Sequence, residues 1–219
     1  MKDLEKEIKK RKRFILGLVL SIILVIILFF FDVAIVKAVA QSRNFYLDYL
    51  FISIGFASNV FIIFFFLTSL FLWSENKRAW ILPLWLSGFF SVVASYVLKV
   101  MVARLRPFQR NFIPILNIAF NFMKDNFNTW NFSFPSFQAM FVFSALPILN
   151  KQFRRFKYIW LIFACLVAFS RVYFGVHYLS DVLAGAIIGY LIGTIMVFIE
   201  TRHKWGSKLM RRFKIKKKG

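Results

Sequence analysis

A histidine and an aspartate, four residues apart, form the first group that could do chemistry. The stretch SRVYFGVHYLSD contains Arg171, His177 and Asp181. An imidazole whose far nitrogen donates to a carboxylate is held in one tautomer and becomes a better nucleophile. A surface histidine followed by an aspartate that caps a helix would give the same letters. The spacing therefore suits nucleophilic chemistry without proving it.

Two basic residues form the second group, in the stretch KVMVARLRP. Lys99 and Arg106 are seven positions apart, which places them two helical turns apart on one helix face, and Pro107 ends the helix. A charge inside an apolar span costs about 2.5–3.5 kcal/mol on insertion scales, so such residues are functional hypotheses by default. Basic side chains near a span end also extend to lipid headgroups, and that reading stays open for each of them.

The third group is the stretch SFPSFQAM at residues 133–140. Ser136 and the backbone N–H groups at the start of the following helix offer a seat for an anion. No single group decides the chemistry, because each has an ordinary structural reading. Basic side chains, a helix N-terminus and a His–Asp pair on one membrane face together suit a phosphate monoester or a diphosphate.

The elements that must position these groups are membrane helices. The chain has 219 residues, of which 60% are hydrophobic and 20% aromatic, more apolar surface than one water-soluble core of this size can bury. Spans of about 20 apolar residues are predicted near 14–36, 51–73, 79–104, 134–149, 157–175 and 180–199. We expect three segments: a basic N-terminus (1–13), a six-span membrane domain (14–200) and a basic tail (201–219).

The basic residues predict the orientation of the chain. The N-terminal segment, the loop around ENKR, the loop KQFRRFK and the tail hold 22 of the 30 Lys and Arg residues, and a six-span model places all four on one side. Both termini are then cytoplasmic and the chemical groups extracytoplasmic. The tail also suits anionic headgroups. The net charge of +21 does not indicate nucleic-acid binding, because it is carried at the ends and between apolar blocks.

The longest connection, about residues 108–133, is rich in Phe and Asn. Long aromatic loops beside a membrane site form lids or lipid entrances. Aromatic rings also favour the headgroup region for its own sake. Both interpretations of this loop remain open.

The three groups resemble the type 2 phosphatidic acid phosphatase (PAP2) superfamily of membrane lipid phosphatases, whose pattern is K-x6-RP, then PSGH, then SR-x5-H-x3-D. The first and third elements are intact as Lys99–Pro107 and Ser170–Asp181. The resemblance covers nearly the whole chain. It implies an all-α six-helix bundle in the cell membrane, an active site at the outer face, and no metal or other cofactor. Its partners would be membrane lipids and a lipid phosphate or diphosphate substrate.

The same resemblance implies a role for each residue. His177 would be the nucleophile that forms a phosphohistidine, with Asp181 orienting and polarising its imidazole. Three basic side chains would bind the phosphate oxygens, and Ser136 would add a hydroxyl donor. The three basic residues are Lys99, Arg106 and Arg171.

The second element departs from the family pattern, because Phe137 replaces Gly and Gln138 replaces the His that protonates the leaving oxygen. An amide has no proton to give at useful pH. Phe137 adds bulk, and it would be strained if its backbone required a positive φ. Asp48 and Asp125 are the extracytoplasmic acids that could replace the lost proton donor, although nothing in the sequence places either near His177.

Two hypotheses follow from this departure. In the first, the chain is an enzyme that hydrolyses an isoprenoid or polyprenyl diphosphate, whose leaving group needs little protonation. In the second, it is a pseudophosphatase that binds lipid phosphates or a partner protein. Retention of both His177 and Asp181 favours the enzyme. Vanadium-dependent haloperoxidases share the motifs, but they are soluble and longer, and they depend on the missing His.

Overall fold

The computed structural model describes residues 2–112 and 132–216, and within them the chain forms helices with no strand. The predicted all-α class is confirmed. Two short 3-10 segments of the described part are Glu75–Trp80 and Phe108–Arg110. The α-helices of the described part are α1 Lys2–Gln41, α2 Phe45–Ala57, α3 Val60–Leu72, α4 Ile81–Val102, α5 Phe137–Ser144, α6 Leu146–Gln152, α7 Phe156–Tyr173, α8 Leu179–His203 and α9 Trp205–Lys216.

The long apolar helices make this a multi-pass membrane protein. Among the described residues, four helical stretches are long and apolar enough to cross a bilayer: Arg11–Gln41, Glu75–Val102, Phe156–Tyr173 and Leu179–His203. Helices α2 and α3 together would make a fifth span, bent by 62°. The bend lies at Ser58 and Asn59, where the Asn59 side chain accepts a hydrogen bond from the N–H of Phe61 and caps α3.

The predicted fourth span, residues 134–149, is divided into two short helices. Helix α5 ends at Ser144, and α6 begins at Leu146 with Pro147 in its first turn. Side chains of both helices are buried, among them Met140 and Ile148, each 0% exposed. Protein surrounds this segment on the sides that a lipid-facing helix would expose, so it need not be one long apolar helix. The count of six spans stays a prediction.

Three glycines hold α5 against α8. Gly185, Gly189 and Gly193 recur every four residues along one face of α8, and each faces a main-chain carbonyl, of Ser136, Met140 and Ser144 in turn. A Cβ atom at any of the three would overlap that carbonyl oxygen. Small residues at this spacing let two membrane helices approach closely. The contact fixes the start of α5 beside the start of α8.

The end of α8 lies close to the predicted boundary between membrane domain and tail. The helix continues to His203, and Lys204 adopts a left-handed conformation before α9 begins. The buried carboxylate of Glu200 accepts hydrogen bonds from the backbone N–H groups of Gly206 (2.8 Å) and Ser207 (3.2 Å). Glu200 therefore caps the first turn of α9 and sets its direction.

Candidate active site

His177 lies in the short turn between α7 and α8, at the end of the bundle where α4 also ends and α5 begins. Gly175, at φ 76°, makes this turn, and the His177 backbone N–H donates to the Arg171 carbonyl at 3.2 Å. The ring is only 2% exposed. Its Nδ1 lies 2.7 Å from the carbonyl oxygen of Ser133. A carbonyl oxygen can only accept, so Nδ1 carries the hydrogen and Nε2 keeps its lone pair.

Asp181 does not make the direct hydrogen bond to His177 that the family pattern implies. Its Oδ2 lies 4.0 Å from His177 Nδ1, which is too long for a hydrogen bond. The buried carboxylate instead accepts from Arg104 Nη1 at 2.6 Å, from the Tyr178 backbone N–H at 2.9 Å and from the Ser133 hydroxyl. Ser133 thus contacts both residues, the imidazole through its carbonyl and the carboxylate through its hydroxyl.

Lys99 and Arg106, predicted to act as a pair, are both buried at this end of the bundle. Lys99, on the last turns of α4, is 1% exposed, and its Nζ donates to the carbonyl of Phe132. Arg106 follows α4 and is 8% exposed, with Nη1 3.3 Å from the Val176 carbonyl. Neither side chain is exposed at the surface of the bundle, from which it could extend to lipid headgroups. The burial contradicts the alternative reading for both.

Arg171 sits in the last turn of α7 and contacts the break between α2 and α3. Its Nη2 donates to the Ser58 hydroxyl at 2.9 Å. Its Nε is buried and has no hydrogen-bond partner among the described residues. A buried donor left in this way is available to an acceptor brought in by a ligand.

The electrostatics of His177 reflect all three basic residues. Burial, followed by the charges of Arg106 and Lys99, lowers the pKa of His177 well below its ordinary 6.5, and Arg171 adds to the effect. The hydrogen bond to Ser133 acts in the opposite direction. Burial lowers the pKa of Arg106 to about 10, against the pull of Asp181, so this guanidinium stays charged at neutral pH. The imidazole is therefore a neutral base in a strongly positive site.

The second motif, at the start of α5, lies next to Asp181. The backbone N–H of Ser136 donates to the Asp181 carbonyl at 3.0 Å. The Ser136 hydroxyl is buried with no hydrogen-bond partner among the described residues. Phe137 begins α5, and its backbone φ is not positive. The backbone strain considered for it therefore does not arise. Its ring packs against Phe141, with centroids 5.9 Å apart, and Gln138 is half-buried.

An ion-pair network behind Asp181 was not predicted from the sequence. Arg104 bridges Asp181 and Asp32, with Nη2 2.7 Å from the Asp32 carboxylate. Asp32 lies in α1, is 1% exposed and also accepts from the Ser180 backbone N–H at 3.0 Å. One signal was present: an acid inside an otherwise apolar span is costly and rarely accidental.

Of the two suggested replacement acids, only Asp48 lies among the described residues. The Asp48 carboxylate accepts a hydrogen bond from the Tyr173 hydroxyl at 2.5 Å, at the start of α2. Asp125 and most of the predicted lid loop lie outside the described residues. The site that the structure does describe contains Lys99, Arg106, Ser136, Arg171, His177 and Asp181 at one end of the bundle.

A sequence model of the PAP2 superfamily matches residues 80–205. The chain is 34% identical over 107 residues to the phosphatidylglycerophosphatase B of Bacillus subtilis (44% of this chain and 46% of that protein). It is 31% identical over 139 residues to the undecaprenyl-diphosphatase of Sulfolobus acidocaldarius (61% and 62%). The chain thus spans about half to three fifths of the length of these curated relatives.

A solved structure shares the fold. The PAP2-type phosphatidylglycerolphosphate phosphatase from Bacillus subtilis superposes with a TM-score of 0.65 and 22% sequence identity. The superposition covers 84% of this chain and 96% of the other. At this identity the likeness concerns the arrangement of helices, and the chemistry has to be argued from the site.

Proposed function

The chain belongs to the PAP2 superfamily, and on that premise we propose that it is a membrane lipid phosphatase that acts on a lipid diphosphate through a phosphohistidine. The observation that carries the proposal is the state of His177. It is a buried imidazole whose Nδ1 hydrogen is donated to the Ser133 carbonyl, and burial with the nearby cations lowers its pKa, which favours the neutral form. Its Nε2 lone pair is thereby available for attack on phosphorus.

The three basic side chains would bind the terminal phosphate. Arg171 has a buried donor, Nε, with no partner among the described residues, and the Ser136 hydroxyl is in the same condition. Lys99 and Arg106 lie close enough to His177 to alter its pKa. Fixed cations around a phosphoryl group neutralise its oxygens and stabilise the charge that moves to the leaving group.

The reaction would then proceed in two displacements. The Nε2 lone pair of His177 forms a bond to the terminal phosphorus as the bond to the bridging oxygen breaks, and that bonding pair leaves with the lipid monophosphate. Water next attacks the phosphohistidine, the N–P electron pair returns to Nε2, and both protons of the water leave with inorganic phosphate. The hydrogen stays on Nδ1 and is donated to the Ser133 carbonyl throughout, so the imidazole keeps one tautomer.

Gln138 is the reason for preferring a diphosphate. Removing a phosphate from an ordinary monoester expels a basic alkoxide, which a general acid assists by about 10²–10⁴-fold. A diphosphate expels a lipid monophosphate, whose last proton has a pKa of only about 6, so little protonation is needed. An isoprenoid or polyprenyl diphosphate is therefore the proposed substrate class. The similarity to an undecaprenyl-diphosphatase supports it.

The second candidate function is binding without turnover. It is favoured by one observation, the amide of Gln138 at the half-buried position where the family has a histidine. A pseudophosphatase would hold lipid phosphates on the same basic side chains and release nothing.

One assay distinguishes the two functions. Protein purified in detergent is given undecaprenyl diphosphate, phosphatidylglycerol phosphate or phosphatidic acid, and released phosphate is measured. We expect turnover of the diphosphate, its loss in His177→Ala, and its retention in His203→Ala, which changes the other histidine of the chain. Binding of all three lipids without phosphate release would support the pseudophosphatase instead.

We also propose that both termini are cytoplasmic and that the site faces the extracytoplasmic side, as the distribution of basic residues indicates. A single cysteine introduced by Ser207→Cys, in a Cys165→Ser background, tests this in sealed vesicles. A membrane-impermeant thiol reagent should label it only from the cytoplasmic side. Labelling from the outside alone would reverse the orientation.

A further inference from the structure

Asp32 is a buried carboxylate in the first membrane helix, far in sequence from every motif of the site. It lies outside the matched residues 80–205. Its oxygens accept hydrogen bonds from the backbone N–H and the hydroxyl of Ser180, the residue before Asp181. Helix α1 is thereby tied to the start of α8, where the family carboxylate is held.

Arg104 joins this carboxylate to Asp181. One guanidinium nitrogen, Nη2, donates to Asp32, and the other, Nη1, donates to Asp181 and to the Ser180 hydroxyl. The guanidinium lies between two aromatic rings, 4.4 Å from the Phe29 centroid and 3.9 Å from that of Tyr178. Stacking and bidentate donation hold a guanidinium in a single orientation. Arg104 is therefore fixed in place rather than free to seek a substrate phosphate.

The charges of these groups suggest their purpose. When His177 takes up a phosphoryl group, its ring becomes cationic beside Lys99, Arg106 and Arg171. Among the described residues, Asp181 is the nearest carboxylate, at 4.0 Å, yet Arg104 alone would neutralise it. Asp32 balances Arg104, so that Asp32, Arg104 and Asp181 together keep one net negative charge facing His177.

We infer that Asp32 and Arg104 are positioning residues for phosphoryl transfer at His177, and that the first membrane helix therefore supplies part of the active site. The inference rests on the proposed function. Neither residue contacts the reacting atoms. They act through Asp181, and Asp181 acts on His177 across the short gap and through Ser133, whose hydroxyl binds Asp181 while its carbonyl binds Nδ1.

A double-mutant cycle tests the charge argument. The group of Asp32, Arg104 and Asp181 carries one net negative charge in the wild type. Asp32→Asn makes this group neutral, Arg104→Gln gives it two negative charges, and the double variant returns it to one. We expect each single change to lower kcat for undecaprenyl diphosphate by about 10- to 100-fold with a smaller change in KM, and the double variant to recover most of the loss. A purely structural role gives the opposite result, because removing both partners of a packed ion pair leaves activity no better than either single change.

Asp48→Asn is the matched control. It makes the same chemical change in an acid that binds Tyr173 at the same end of the bundle, and it should leave kcat unchanged. Thermal unfolding of every variant, followed by tryptophan fluorescence, shows whether an activity loss reflects loss of fold. Should Asp32→Asn fail to fold, comparing Arg104→Gln with the double variant still measures the rescue.

Orthovanadate binding separates this inference from the proposed function. Vanadate is a phosphate analogue that accepts a fifth ligand from a nucleophile, so its affinity reports the state of His177 without turnover. We expect weaker binding in both single variants and recovery in the double. If the wild type hydrolyses none of the lipids but the double variant recovers vanadate binding, the proposed function is wrong and the role of Asp32 and Arg104 is supported. An inactive double variant that also binds vanadate no better than the singles overturns the network.

Discussion

The Nδ1 atom of His177 lies 2.7 Å from the main-chain carbonyl oxygen of Ser133. A main-chain carbonyl can only accept a hydrogen bond, and it has no side-chain torsion through which it could rotate out of contact. This contact therefore fixes the tautomer of the imidazole more firmly than a carboxylate side chain would. It also separates two tasks that the family pattern assigns to one residue. Ser133 holds the ring, and Asp181 supplies the negative charge.

The tautomer and the charge of His177 are the first prediction. Burial and three nearby cations lower its pKa below 6.5, so the folded protein should keep this ring neutral, with hydrogen on Nδ1, as the pH falls through 6.5. Histidine-labelled protein gives only two sets of ring ¹⁵N signals, because the chain has two histidines. His177→Asn assigns them.

The sign of the effect on stability follows from the same shift. Below pH 6.5 the unfolded chain binds a proton at this position that the folded chain refuses, so the free energy of unfolding should fall as the solution becomes more acidic. The fall should be smaller in His177→Asn, which removes the titrating group. A ring that protonates at or above pH 6.5 in the folded protein contradicts the prediction.

Two buried serines of the site should affect different kinetic constants. Ser133→Ala removes the hydroxyl bound to Asp181 but keeps the carbonyl bound to His177, so we expect a loss of about 10-fold in kcat, the scale of one hydrogen bond to a charged group. Ser136→Ala removes a hydroxyl proposed to bind the substrate phosphate and should mainly raise KM.

Ser144→Ala provides the comparison for both, since that hydroxyl donates to the Phe141 carbonyl within its own helix turn. It should change neither constant by more than about twofold. Steady-state kinetics of the three variants on undecaprenyl diphosphate measure the difference. Equal effects of Ser133→Ala and Ser136→Ala on KM alone would contradict the separate roles.

The glycine contact between α5 and α8 gives a prediction about stability. Gly189→Ala places a Cβ against the Met140 carbonyl, and we expect it to cost about 1–3 kcal/mol, as overpacking does in other cores. Gly17→Ala, at an exposed position of α1 with no described atom within 4 Å of the added Cβ, should be neutral or stabilising by up to about 1 kcal/mol. Thermal unfolding in the same detergent compares them. Equal unfolding temperatures would mean that α5 and α8 adjust freely.

The sequence alone predicted those site residues whose role depends on the chemical type of the side chain. Lys99, Arg106, Arg171 and His177 are polar groups at the ends of apolar stretches, where a chemical reason is the simplest one. The structure brings them together at one end of the bundle. Their positions along the sequence were sufficient to predict that they meet. Consecutive membrane helices run in opposite directions, so their ends lie alternately on one side of the membrane and on the other.

The breaks in the helices and the role of Ser133 could not be read in the same way. Hydropathy reports how apolar a window is, so it does not show that Ala145 separates α5 from α6. Ser133 acts on His177 through its carbonyl, which every residue type has. Asp32 was readable in principle as an acid within an apolar run, but its partner, Arg104, is distant in sequence and found only by folding.

The last prediction concerns Gln138. Gln138→His should restore a proton donor beside the leaving oxygen and raise turnover of phosphatidic acid by up to about 10²–10⁴-fold. Turnover of undecaprenyl diphosphate should change far less, because its leaving group is a weak base. The ratio of the two gains, measured by phosphate release in one detergent, is the decisive quantity, since a general improvement of the site would raise both rates alike.

Phe137 separates the loss of the acid from crowding of the phosphate. Its ring packs on Phe141 and towards the core, so Phe137→Gly should lower the unfolding temperature and improve neither substrate by itself. The double variant Phe137→Gly with Gln138→His should then show the activity of Gln138→His on a less stable protein. A large gain from Phe137→Gly alone, equal on both lipids, would identify crowding as the main defect. No gain from any of the three variants would mean that the leaving oxygen lies out of reach of position 138.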